Sequence, residues 1–149
     1  MFQIKKRTKN NSDFQKLTKA LDQDLSITDG DEHEFYNQFN GLEDLAVVLI
    51  AYRDNQAIGC GAFKKYDEFT AEIKRMYVLP EEQGKGVASA LLKELEKLAS
   101  SLAYKTCILE TGIRQPDAIA LYKKNGYDIT ANYGPYMGVK NSLCFKKEL

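Results

Sequence analysis

Val78-Leu79-Pro80-Glu81-Glu82-Gln83-Gly84-Lys85-Gly86-Val87-Ala88 is the stretch that decides how this chain folds. Before it, Ala71 to Leu79 has the composition of a strand, and Pro80 ends it because proline cannot donate to a sheet ladder. After it, Val87, Leu91, Leu95 and Leu98 recur at steps of four, four and three. That is the core-facing stripe of a helix, with Lys93, Glu94, Glu96 and Lys97 on the other face. Two glycines and a lysine therefore sit between a strand end and a helix start.

Such a junction can hold an anion. The first N–H groups of a helix lack intrahelical partners, and the macrodipole adds about half a positive charge there. Without a Cβ, Gly84 and Gly86 let a phosphate approach the backbone while neighbouring N–H groups converge on it. A tight turn alone also accounts for two glycines. The segment is not a nucleotide-hydrolase phosphate loop, since Gly86 follows Lys85 where Ser or Thr is required. Nor is it a dinucleotide fingerprint, because no GxGxxG is present and three consecutive strands precede it.

Outward from this turn, Leu45 to Tyr52 and Ala57 to Tyr66 are apolar runs joined at Asp54-Asn55, which predicts a buried hairpin. Ser12 is expected to cap a first helix from Asp13 to about Leu25, and a short second helix is expected near Asp31 to Asn40. Thr106 to Leu109 is a short strand, separated by the central helix from Ala71 to Leu79, so a right-handed βαβ unit with parallel strands is predicted. Pro116 opens a helix over Asp117 to Asn125 and Gly126 closes it. Tyr127 to Tyr133 and Leu143 to Lys147 complete the sheet.

At 149 residues, 44% apolar and 28% charged, the chain fits one domain spanning 1–149. Twenty-one basic residues balance twenty-one acidic ones, so no overall field would gather nucleic acid or an anionic membrane. The paired lysines Lys123, Lys124, Lys146 and Lys147 are expected on solvated faces, with one of the first pair able to reach a phosphate. Neither an apolar leader nor a run of about eighteen apolar residues occurs, and a cytoplasmic location is expected. Cys60, Cys107 and Cys144 are expected as buried small hydrophobes, and no metal site is anticipated, with a single histidine, His33, far from them in sequence.

Gln83-Gly84-Lys85-Gly86-Val87-Ala88 resembles the Gln/Arg-x-x-Gly-x-Gly/Ala signature of the GNAT superfamily of acyl-coenzyme A N-acyltransferases. Ala118 to Tyr127 resembles that family's second signature, Glu72 to Val78 its fourth strand, and the order of elements is similar from about Ile4 to Lys147. The resemblance implies an α/β (α+β) domain: a mixed, mostly antiparallel sheet of six to seven strands, helices on both faces, and a cleft where the fourth and fifth strands splay. It implies acetyl-coenzyme A as co-substrate and no metal. Backbone of Met76, Tyr77 and Val78 would hold the pantetheine arm, and Gln83, Gly84, Lys85, Gly86, Val87 and Ala88, with Ser89 adjacent, the pyrophosphate. Gln115 stands where the family usually has Asn, and Lys124 could meet a phosphate.

The same resemblance implies roles around the reacting atoms. An N–H of Tyr77 or Val78 would polarise the thioester, and Tyr122 would stand near the sulfur. Protonating a thiolate from an unperturbed phenol is uphill by about 2 kcal/mol, so a hydrogen bond to sulfur is the alternative. Glu72 and Glu110 are candidate bases, or plain strand-end charges. Arg75, Tyr133 and Tyr136 are candidates for binding a small amine or amino-acid-like acceptor, Arg75 by pairing with an acceptor carboxylate; Arg75 could instead pair with Glu72 or Glu110. Asp29 to Glu34 could attract a cationic amine, or simply start a helix. Acetylation of a protein lysine or N-terminus and non-catalytic acyl-coenzyme A sensing remain alternatives, and a homodimer stays open.

Overall fold

The computed structural model describes residues 1–149. Leu45–Arg53 (β2) and Gln56–Asp67 (β3) form the expected hairpin. Its turn residues Asp54 and Asn55 have φ of 51° and 65°, the left-handed pair that a two-residue hairpin turn demands. Gln3–Arg7 (β1) adds to β2, and Thr70–Val78 (β4) to β3, all antiparallel. Thr106–Gly112 (β5), Asp128–Thr130 (β6) and Ser142–Glu148 (β7) complete a seven-stranded sheet of order β1-β2-β3-β4-β5-β7-β6. Only β4 and β5 are parallel, as the helix between them predicts.

Both faces of this sheet are covered, which is why β2 is apolar at consecutive positions. On one face Val87, Leu91 and Leu95 of the helix Val87–Ser101 (α3) pack with Val47, Leu49 and Phe63. On the other, Phe14 and Leu17 of the helix Ser12–Asp29 (α1) pack with Val48, Ile50 and Ala62. The helix Pro116–Lys124 (α4) brings Tyr122 into the α3 side of the core. Cys60, Cys107 and Cys144 are free thiols and fully buried.

The cleft arises from one irregular stretch of β4. This strand pairs with β5 only through Thr70↔Thr106, Ala71↔Cys107 and Glu72↔Ile108. Past that point Cys60 faces Tyr77 but Ala62 faces Lys74, so Arg75 and Met76 together oppose Gly61. This is a β-bulge, with Arg75 at φ 59°. The extra residue breaks the two-residue alternation: Ala71, Ile73, Met76 and Val78 stay against the α3 side, while Arg75 reaches Thr18 and Asp22 of α1. Meanwhile β5 follows β7 along its whole length. The two parallel strands therefore part, and β4 keeps an unpaired backbone edge towards the gap.

Several local expectations shift. Asn11 caps α1 in place of Ser12, its Oδ1 accepting from the N–H groups of Asp13 and Phe14 at 2.9 and 3.2 Å. The helix then runs one turn further than expected, to Asp29. The second helix splits into a 3-10 turn, Gly30–Glu32, and a short helix, His33–Asn37 (α2). The strand expected over Tyr127 to Tyr133 shrinks to the three residues of β6. Glu96 is buried, not solvated: it accepts from Tyr127 Oη and Lys147 Nζ, each at 2.8 Å. Lys147 is thereby a structural partner and not part of a solvated face.

Candidate active site

The turn after β4 and the start of α3 border a cavity of about 680 Å³. Gly86 is the residue before α3, left-handed at φ 84°, and no side chain caps the helix. The first N–H groups of α3 therefore remain available to an external acceptor. Gly84 (φ 76°) and Gly86 both line the cavity, and a Cβ built on either meets open space. A side chain at either position would project into open space, from a backbone conformation that L residues rarely adopt. Gln83 ties the turn back to the strand, its Nε2 donating to Val78 O at 3.2 Å. Glu82, beneath the turn, is neutralised by Arg53 at 2.9 Å, which keeps a carboxylate from opposing an anion there.

From that mouth the cavity follows Val78, Tyr77 and Met76 down the unpaired edge of β4 and reaches the opening of α4. Val87, Ala88, Ser89, Gln115 and Lys124 also line it. Ser89 Oγ accepts from Asn125 Nδ2 at 3.1 Å, which links the two helices on either side. Lys85 does not line it; its side chain is half exposed, with Nζ 3.8 Å from Glu82. Residue reading missed Leu21, Leu25 and Arg114 on these walls. Arg114 clamps the end of α1, donating to Thr28 O and Asp29 O at 3.3 and 3.2 Å. No local pattern could have revealed that contact, which spans more than eighty residues.

A second, smaller cavity of about 120 Å³ lies deeper, between the splayed strands and α1. It shares Leu21, Leu25, Met76, Gln115, Ala118 and Tyr122 with the first, so these six form the passage between the two. Tyr122 is buried, its ring edge-on to Tyr127 at 5.9 Å and tilted on Phe145 at 5.8 Å. Burial, and after it the charge of Glu110, pushes its phenol well above the usual range, so the hydroxyl keeps its proton.

Glu110, near the end of β5, lines the small cavity and has one carboxylate oxygen, Oε2, buried with no hydrogen-bond partner. Desolvation raises its carboxyl to about 7. Around it, Ser142 on β7 and Lys74 on β4 act to lower that value, whereas Asp29 at the end of α1 and Glu72 on β4 raise it. Tyr36 and Tyr136 face the same space. A carboxyl poised near neutrality beside the passage is suited to take a proton at physiological pH.

Three expected site residues are engaged elsewhere. Glu72 is buried and accepts from Tyr133 Oη at 2.6 Å, with Lys64 and Lys74 each at 3.9 Å; neither Glu72 nor Tyr133 lines either cavity. Arg75 pairs with neither Glu72 nor Glu110. The bulge turns its guanidinium onto Asp22 Oδ1 at 2.7 Å and Thr18 O at 2.9 Å, although it still borders the small cavity. Tyr136 does border that cavity, and Lys74, which residue reading passed over, stands beside it.

The model of the Acetyltransferase (GNAT) family matches residues 14–127, which contain β2 to β5, both walls of the passage and α4. The chain belongs to the GNAT acetyltransferase family. Among relatives, an IAA acetyltransferase of Azospirillum brasilense is 36% identical over 102 residues, covering 68% of this chain and 67% of that protein. An uncharacterised N-acetyltransferase of Escherichia coli, YjgM, is 39% identical over 112 residues, 73% of this chain and 66% of the relative. A solved Klebsiella pneumoniae protein, a suggested acyl-CoA N-acyltransferase, superposes with a TM-score of 0.83 at 31% identity over 100% of this chain and 98% of its own. As a GNAT protein the chain is an acyl-CoA N-acyltransferase, and the splayed β4/β5 cleft is the family's architecture. No helix is long and apolar enough to cross a membrane.

Proposed function

We propose that this GNAT enzyme transfers the acetyl group of acetyl-coenzyme A to the primary amine of a small acceptor by direct attack. The observation that carries the reading is the meeting of two cavities at Tyr122 and Met76: a long one ending at an uncapped helix N-terminus, and a short one closed by Glu110. The long cavity suits an extended thiol ester with phosphates at one end. Gly84, Gly86 and the N–H groups of α3 would hold the pyrophosphate, and the unpaired edge of β4 at Met76 to Val78 the pantetheine arm. Bound there, acetyl-coenzyme A supplies an activated acyl carbon.

The chain's own groups account for the remaining chemistry. An amine in the short cavity presents its nitrogen at the passage, and Glu110, with its carboxyl at about 7, accepts the proton that the nitrogen must lose. The free N–H groups of β4 face the place where negative charge develops on the acyl oxygen. Tyr122, held in its protonated form, donates a hydrogen bond to the departing sulfur and does not surrender its proton. Glu72 is left out of this scheme, because Tyr133 occupies its carboxylate.

The test is coenzyme A thiol release from acetyl-coenzyme A with a panel of primary amines. Amine-dependent release, with the N-acetyl product seen by mass spectrometry, is expected. Binding of acetyl-coenzyme A with no amine-dependent release would reject catalysis of this kind.

A further inference from the structure

Lys74 is a buried basic side chain of the cleft that lacks a close counter-ion. Its side chain is 10% exposed, and its Nζ is met by Tyr136, with Oη at 3.4 Å and the ring centroid at 6.0 Å, and by Glu72 Oε2 at 3.9 Å. Charge-assisted hydrogen bonds ordinarily close to about 2.7–2.9 Å. Other cations of this protein reach that distance: the buried Arg75 to Asp22 at 2.7 Å, and the partly exposed Lys147 to Glu96 at 2.8 Å. The Glu72 oxygen nearest Lys74 also accepts from Tyr133 at 2.6 Å, and the other faces Lys64 at 3.9 Å, so this carboxylate is shared among three donors. Burial lowers the Lys74 ammonium from its usual value, while the charges of Glu72 and Glu110 act to raise it. The neighbouring Arg75 adds a second buried donor without a partner, its Nε.

Lys74 and Glu110 line one cavity of about 120 Å³, the volume of about four water molecules at about 30 Å³ each. They form no ion pair with each other, so the cavity carries a cationic wall and a carboxyl wall, each with unused capacity. An aliphatic amine or a polyamine would satisfy only the carboxyl wall and would bring a further positive charge towards Lys74. A ligand with an amine at one end and a carboxylate at the other satisfies both. The bulge makes the arrangement possible. Without its extra residue Lys74 and Arg75 would alternate to opposite faces of β4, and one cation would leave the cleft.

We propose that the acceptor is a small amino acid or similar amino carboxylate, its carboxylate held by Lys74 Nζ and its amine directed to Glu110. This rests on the acetyl-transfer reading above and supplies its substrate class. The reaction is balanced without a further reactant: the amine nitrogen forms the amide bond, the thioester C–S bond breaks, the amine's proton passes to Glu110, and the thiolate leaves with coenzyme A.

The experiment is steady-state acetylation by the wild type of matched acceptors: an α-amino acid, its carboxamide, and the amine lacking the carboxyl carbon, with Lys74→Met and Lys74→Arg measured alongside. Expected is a kcat/KM for the amino acid roughly ten- to a hundredfold above that for its carboxamide, the usual worth of one charged hydrogen bond. Lys74→Met should erase that ratio through KM, and Lys74→Arg should restore part of it; the ratio between the two acceptors is the readout, because loss of the Lys74 charge also acts on Glu110. Equal use of carboxylate and carboxamide by the wild type would overturn the proposal while leaving acetyl transfer standing. So would a ratio that survives in Lys74→Met. Acetyl-coenzyme A binding with no acceptor turned over would instead defeat the acetyl-transfer reading itself. The wild-type ratio decides the matter even if Lys74→Met does not fold.

Discussion

Replacing Glu110 by Gln should cost activity and add stability. Desolvation lifts this carboxyl from 4.5 to about 7 in the folded protein. Between those values the folded state binds more protons than the unfolded one, so stability falls as pH rises through this window. Above about pH 7 the full cost is present, about 3 kcal/mol for a shift of this size as an upper bound. A neutral amide avoids it. Thermal melts should therefore show Glu110→Gln several degrees more stable than the wild type at pH 8, with the difference vanishing towards pH 4.5. Activity should move the other way. In the wild type kcat should fall to about a tenth of its plateau one pH unit below the carboxyl's pKa, and in Glu110→Gln that break should disappear with about a 10²-fold or greater loss at the plateau. A variant that keeps both the plateau rate and the break near pH 7, or a melting difference that does not change with pH, would refute the assignment of Glu110 as the base.

Tyr122→Phe should lower kcat about ten- to a hundredfold while acetyl-coenzyme A binds as before in calorimetry, because the ring packing on Tyr127 and Phe145 is kept and only the hydroxyl is lost. Glu72→Gln should leave the pH break near 7 in place, since its carboxylate is bound to Tyr133 away from both cavities; disappearance of the break would transfer the base role to Glu72. Lys147→Met strips a buried carboxylate of its cation and should destabilise by about 2 kcal/mol, discounted because Lys147 is partly exposed, which chemical denaturation would detect. Arg75→Met leaves its partner Asp22 at the surface but removes the tie between the bulge and α1, and should raise KM for the acceptor more than for acetyl-coenzyme A.

Most of the architecture was legible because it is encoded by periodic burial. The α3 stripe Val87, Leu91 and Leu95 and the apolar β2 run each answer to a single face or pair of faces of the sheet. The edge strand β1 was read only through the order of elements, since Gln-Ile-Lys-Lys-Arg pairs through its backbone and has no apolar alternation to betray it. Glu96 sat on the polar side of the α3 repeat, yet Tyr127 and Lys147 close over it from the last part of the chain. The glycine turn before α3 stood out because glycines at a strand–helix junction have a local physical meaning. The lining of the small cavity did not. Whether Arg75 or Lys74 is free depends on one inserted residue in β4 and on Asp22, fifty-three positions away. A bulge of this kind leaves no mark in composition or spacing. The same is true of Glu110 and Glu72, which look alike as strand-end acids although Glu110 lines the small cavity and Glu72 is held outside it by Tyr133.

Calorimetric titration of acetyl-coenzyme A into the wild type and into Gly86→Glu bears most directly on the site as a whole. The glutamate would place a carboxylate in the open space at the N-terminus of α3, where the pyrophosphate is expected. Saturable binding by the wild type, abolished in a Gly86→Glu protein that still unfolds cooperatively, is the predicted result. No binding by the wild type, or equal binding by the variant, would contradict it.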